Sequence, residues 1–203
     1  NLKLQKFKKS SWKTDISFFM EFKKIQLNGF KSFAEKADFL IEDGLTGIVG
    51  PNGCGKSNIV ESLRWAMGET SAKSMRGSGM EDVIFSGTSN KASKNIAEVT
   101  IEVENKDKEG PIQYREHDQV QIKRKIEKDK GSKFYINGKE VRARDAQMFF
   151  ADLSTGAHSP SMISQGRIGA LVTAKPTDRR AILEEAAGIS GLHVRRHEAE
   201  LRL

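Results

Sequence analysis

Residues 47–69, "GIVGPNGCGKSNIVESLRWAMGE", decide how the rest of the chain is read. Within them Gly50, Gly55, Lys56 and Ser57 complete the pattern G-x-x-x-x-G-K-[ST]. Glycines let backbone N–H groups turn toward phosphate oxygens with no Cβ in the way. A helix starting at the lysine adds its positive dipole end. In such a loop the lysine reaches the β and γ phosphates, and the serine hydroxyl ligates Mg²⁺. The pattern needs a strand before it and a helix after it. "LTGIVG", residues 45–50, reads as the strand. Ile59, Val60, Leu63 and Met67 then fall at helical spacing over 56–67, and Gly68 closes the run. This stretch specifies a P-loop α/β fold that binds a nucleotide. It does not specify the reaction.

Outward from the loop, residues 21–27 carry Phe22, Ile25 and Leu27 in strand-like order and end at Asn28-Gly29, and 37–41 predict a second strand. Residues 70–95 are rich in Ser, Gly, Lys and Asn and read as loop, broken by a short apolar run at 83–85. "AEVTIEVEN", residues 97–105, has period two with Val99, Ile101 and Val103 inward. Residues 119–128 alternate as well, with Val120, Ile122 and Ile126 on one side and Lys123 and Lys125 on the other. "KFYINGKEV", residues 133–141, predicts a hairpin, because Asn137-Gly138 tolerates the positive φ of a type I′ turn. These three elements predict an antiparallel sheet adjoining the sheet of the phosphate loop. Helices are expected over 144–153 and 176–187.

Composition narrows the class. A chain of 203 residues is long enough for one good core. Hydrophobic and charged fractions of 37% and 30% describe a soluble globular protein, with no apolar run near the ~18 residues of a membrane helix. The single cysteine, Cys54, rules out an internal disulfide and fits a reducing, intracellular compartment. The formal net charge of +7 invites a nucleic-acid partner, yet residues 1–19 hold five lysines against one acid, Asp15. Most of the excess therefore sits in a tail, read here as disordered, with a basic DNA-tethering arm as the sharper alternative. In the body, Lys123, Arg124 and Lys125 form the candidate phosphate-tracking face of a strand.

Hydrolysis needs further parts: an apolar strand ending in a metal-binding Asp, and a group that orients water. "MFFAD", residues 148–152, is the candidate, but Leu153 follows and the flanks "RARDAQ" favour helix. Phe149, Phe150 and Leu153 are expected to face the core, with Asp152 at the surface or as a cap.

The segments "GFKSFAEKADFLIEDGLTGIVGPNGCGKSNIVESLRWAMGE", "AKSMRGSGMEDVIFSGT" and "LSTGAHSPSMISQGRIGALVTAKPTDRRAILEEAAGISGLHVRRHEAELRL" together resemble the N-terminal head of the SMC (structural maintenance of chromosomes) ATPases of bacterial type. The resemblance spans residues 20–203. It implies an ABC-type P-loop NTPase lobe over 20–178, and a neck with the start of a coiled-coil helix over 179–203. It implies that ATP and Mg²⁺ are held by Gly50, Pro51, Asn52, Gly53, Cys54, Gly55, Lys56, Ser57 and Asn58, with Lys31, Ser32 and Phe33 nearby. By the same resemblance Arg76 approaches the phosphates, and Gln165 senses Mg²⁺ and the attacking water. In that family a returning C-terminal half supplies the Walker B Asp, the catalytic glutamate, the signature motif and the hinge-bearing arm. The implied partners are that half, a second copy through hinge and ATP-engaged heads, DNA and kleisin-type subunits. No membrane partner is implied, and the implied location is cytoplasmic and nucleoid-associated. The nearest rival is the head of another coiled-coil DNA-repair ATPase. Rivals of other classes are a small-molecule kinase and a module that uses nucleotide only for stability.

Overall fold

A computed structural model describes residues 3–6, 20–106, 108, 110–153, 172–186 and 200. Its largest element is a six-stranded antiparallel sheet. In spatial order it comprises β3 (Ala37–Leu40), β2 (Glu21–Asn28), β5 (Ile96–Glu104), β6 (Gln119–Glu127), β7 (Gly131–Ile136) and β8 (Lys139–Val141). Register follows the period-two pattern: Ile25 opposes Ile101, which opposes Ile122, which opposes Ile136. These inward residues are all almost fully buried. Each buried aliphatic side chain contributes about 1.5–3 kcal/mol, so a one-residue slip in β5 or β6 would expose a whole row. The β7–β8 turn has φ of 48° at Asn137 and 79° at Gly138, as a type I′ turn requires.

Helix α1 (Lys56–Ala66) and helix α2 (Ala143–Asp152) cover the apolar face of this sheet. α1 contributes Ile59, Trp65 and Ala66, and α2 contributes Ala146, Phe149 and Phe150. Trp65 packs on Phe30, with ring centroids 5.5 Å apart. A third helix, α3, runs Pro176–Ala186.

β2 and β3 join the antiparallel sheet, where each finds a hydrogen-bonding neighbour. Three features differ from the sequence expectations. The strand leading into the phosphate loop, β4 (Thr46–Val49), instead pairs antiparallel with β1 (Lys3–Lys6), inside the segment expected to be disordered. Residues 70–95 contain two 3-10 turns, Lys73–Met75 and Met80–Val83, anchored by buried Met75 and Val83. Finally, Val60 is 37% exposed, whereas Ser62 and Trp65 turn inward. Ile59 and Met67 are buried and Leu63 packs partly against the core, so Val60 alone of the four departs, while Ser62 is accommodated inside because its hydroxyl donates to Ile59 O at 2.7 Å.

Arg124 requires the largest correction. It is 3% exposed and lies on the inner face of β6, not with Lys123 and Lys125. Its Nη1 donates to the carbonyl oxygens of Trp65 and Glu69, both at 2.7 Å, just where α1 ends. Its guanidinium also stacks between Trp65 and Phe134, 4.5 and 4.7 Å from the ring centroids. A cation at a helix C-terminus meets the negative end of the dipole. Burial pulls its pKa down to about 10, opposed by the Glu69 carboxylate, so it stays charged at neutral pH. Arg64 pairs with Glu69 at 2.9 Å and completes a buried charge network. We expect Arg124→Ala to destabilise the chain by about 3–5 kcal/mol, since it orphans two buried carbonyls and weakens the neutralisation of Glu69. Denaturant unfolding measures this, and a loss under about 1 kcal/mol would show that the network is not the clamp described. On the outer face, Lys123 sits over the Tyr135 ring at 5.2 Å and Lys125 lies 3.9 Å from Glu98.

Candidate nucleotide-binding site

The loop between β4 and α1 is shaped by its glycines. Gly53 and Gly55 have φ of 80° and 98°. At Gly55 a Cβ would stand 2.7 Å from Ser32 Oγ and 3.4 Å from Phe33 Cζ, so both backbone conformation and close approach demand glycine there. Gly50, Pro51, Asn52 and Gly53 are exposed, while Cys54, Gly55 and Lys56 are half-buried. Among the described residues, no group accepts from the N–H groups of Gly53, Cys54, Gly55, Lys56 and Ser57. The first turn of α1 carries no acid. A run of N–H donors with no acceptor among the described residues, at a helix N-terminus, fits an anion of phosphate type. Lys56 Nζ donates to Gly50 O and Pro51 O, each at 2.7 Å, so its ammonium lies across the same loop. The exposed Ser57 hydroxyl is a hard oxygen ligand of the kind Mg²⁺ takes alongside phosphate.

Five further expected residues converge here. Ser32 Oγ accepts from Asn58 Nδ2 at 2.8 Å, and Asn58 Oδ1 accepts from Arg76 Nη2 at 3.1 Å. Lys31, at φ 47°, is fixed through its N–H to Val83 O at 2.7 Å, and its Nζ donates to Met75 O at 2.5 Å. Phe33 is half-buried, edge-on to Phe39 at 5.8 Å, and so serves the core as well as the loop. Arg76 lies in the left-handed region at φ 56°, just before a turn tied by Asp82. The Asp82 carboxylate accepts from Gly79 N at 3.0 Å, Ser78 Oγ at 2.9 Å and Ser78 N at 2.6 Å. Those donors, Gly79 first, hold its carboxyl below the usual carboxylate range. Gln165 lies outside the described residues.

One member of the cluster escaped sequence reading. Glu61 is 9% exposed and ion-pairs with both Lys31 and Arg76. Its signal was an acid one turn past Ser57 on α1, but periodicity alone places it on neither face. "MFFAD" forms the end of α2, with Phe149 and Phe150 buried and Asp152 half-buried.

The profile of the RecF/RecN/SMC N terminal domain matches residues 21–167, well over half of the chain. The chain belongs to this family. Within it, the chain is 56% identical over 184 residues to a protein named Chromosome partition protein Smc from Rhodopseudomonas palustris, which places it on the SMC side. That alignment takes in 91% of this chain but 16% of the relative, so the chain spans only a small part of its relatives' length. A solved Smc head domain from Pyrococcus furiosus, with an extended coiled coil and bound to the C-terminal domain of ScpA, superposes with a TM-score of 0.78. It is 30% identical, over 90% of this chain and 46% of that one. A second structure, from work on ATP-driven dimerisation and DNA-stimulated activation of SMC ATPases, gives 0.70 at 31% identity, over 81% of this chain and 98% of that one. The fold is that of an SMC head, an ABC-type ATPase lobe with mixed helix and antiparallel sheet.

Proposed function

We propose that this chain is the N-terminal half of an SMC ATPase head that binds ATP with Mg²⁺. Completed by a C-terminal half and paired with a second head, it hydrolyses ATP to drive chromosome organisation and segregation on DNA. The observation that carries the reading is the loop 50–57 between β4 and α1, with Lys56 across it and the N–H groups of 53–57 meeting no acceptor among the described residues. In this assignment Gly50, Pro51, Asn52, Gly53, Cys54 and Gly55 wrap the phosphates, Lys56 neutralises them, and Ser57 holds the metal. Arg76 and Gln165 support the chemistry; the expected neck and coiled-coil start over 179–203 lies largely outside the described residues. Water accepts the phosphoryl group.

The partners follow from relatives. The Pyrococcus furiosus head carries part of ScpA, which supports a kleisin-type subunit here. ATP-driven dimerisation and DNA stimulation of other SMC ATPases support a second copy and DNA as partners. The outer face of β6, with Lys123 and Lys125, is the candidate DNA-facing strand, and the location is cytoplasmic, on the nucleoid. No helix among the described residues is long and apolar enough to cross a membrane. A repair ATPase of related head design is the lesser reading, given the 56% identity to a chromosome partition protein. Titration of the folded chain with labelled ATP and Mg²⁺ is expected to give saturable binding that unlabelled ATP displaces. A folded chain with no saturable binding would overturn the reading.

A further inference from the structure

We infer that Glu61 is a positioning residue: it parks Arg76 beside the phosphate loop and releases it when phosphate arrives, with Lys31 as its permanent partner. This rests on the nucleotide reading of the loop. The carboxylate is divided between two cations, Oε2 to Lys31 and Oε1 to Arg76. The cations are unequal. The Lys31 side chain is 13% exposed and its Nζ is also held by Met75 O, so it is locked in place. The Arg76 side chain is 59% exposed, and its second contact is Asn58 Oδ1, one residue past Ser57. Arg76 can therefore leave without stranding a buried charge, because Lys31 still neutralises Glu61.

A phosphate oxygen pair matches the guanidinium fork at least as well as a carboxylate does. Arg76 is poised within reach of the α1 N-terminus, where the N–H groups await an anion. The exchange swaps one charge-assisted partner for another, while Lys31 and Val83 hold the base of the turn. Glu61 thus competes with phosphate for Arg76, and its removal should improve nucleotide binding. A purely structural residue would do the opposite.

The test is a double-mutant cycle on the 203-residue chain, titrated with labelled ATP, with thermal unfolding as the check on folding. Glu61→Gln keeps the shape and still accepts from Lys31, and it should tighten binding about two- to fivefold, the range of a partly exposed ion pair. In an Arg76→Gln background the same change should do nothing. Should Glu61→Gln fail to fold, Glu61→Asp replaces it: it keeps the charge for Lys31 but is one methylene short of Arg76, and the same gain is expected. Unchanged or weaker binding, or an equal gain with and without Arg76, overturns the assignment. Lys56→Ala is run alongside. If that variant binds like the parent, it is the nucleotide reading that fails, whatever Glu61 does.

Discussion

Lys56→Ala is expected to abolish measurable ATP binding while leaving the fold intact. The lysine's ammonium crosses the loop and touches Gly50 O and Pro51 O. Moved onto phosphate, it would make charge-assisted hydrogen bonds worth about 1.5–3 kcal/mol each. Losing two of them weakens binding by roughly a hundredfold or more, at about 1.4 kcal/mol per tenfold. The structure argues that folding will not suffer. The two carbonyls that Lys56 holds belong to exposed residues, so water can replace it, and Ala is the best helix former for the first position of α1. Circular dichroism and the thermal midpoint should match the parent, and labelled ATP should not saturate. A folded variant with parental affinity would remove Lys56 from the site.

The phosphate loop was legible because its chemistry dictates sequence locally. Gly55 must be glycine for two separate reasons, conformation and the approach of Ser32, and a strand and a helix must flank it. Strands β5 to β7 were legible because each buries one face and so alternates, and β8 because Asn137-Gly138 dictates the turn that precedes it. Arg124 was misread because alternation assigns sides, and a cation on the inner side looks like an error until its acceptors are known. Those acceptors are the Trp65 and Glu69 carbonyls, roughly sixty residues away in the chain. Glu61 was missed for a related reason: its partners Lys31 and Arg76 come from two other elements and meet only after folding. The pairing of β4 with β1 carried no sequence signal, since backbone hydrogen bonds place little demand on side chains.

The chain alone should bind ATP and turn over essentially none of it. Phosphoryl transfer to water depends on positioned charge: a metal shell completed by a carboxylate, and a group that orients the attacking water. Among residues whose order could mimic the metal-binding strand, 148–152 lie on α2, and Phe149 and Phe150 commit that helix to the core. Asp152 therefore cannot be presented at a strand end next to β4. Glu61, the buried acid nearest Ser57 in sequence, stays tied to Lys31 whether or not Arg76 leaves it, so it is not free to complete a metal shell or orient water. Removing one such preorganised group costs a factor of about 10²–10³ in turnover, and here both the metal carboxylate and the water-orienting group must come from elsewhere. The loss is therefore expected to reach several orders of magnitude. Adding a C-terminal head fragment that carries those groups should restore turnover. The restored rate should then climb steeply with protein concentration, because two completed heads must meet. A steady-state phosphate-release assay on nuclease-treated chain decides the matter. Robust Mg²⁺-dependent turnover by the chain alone, lost in Lys56→Ala, would mean that a catalytic carboxylate lies within these 203 residues, and it would turn the assignment away from a split head toward a self-sufficient enzyme.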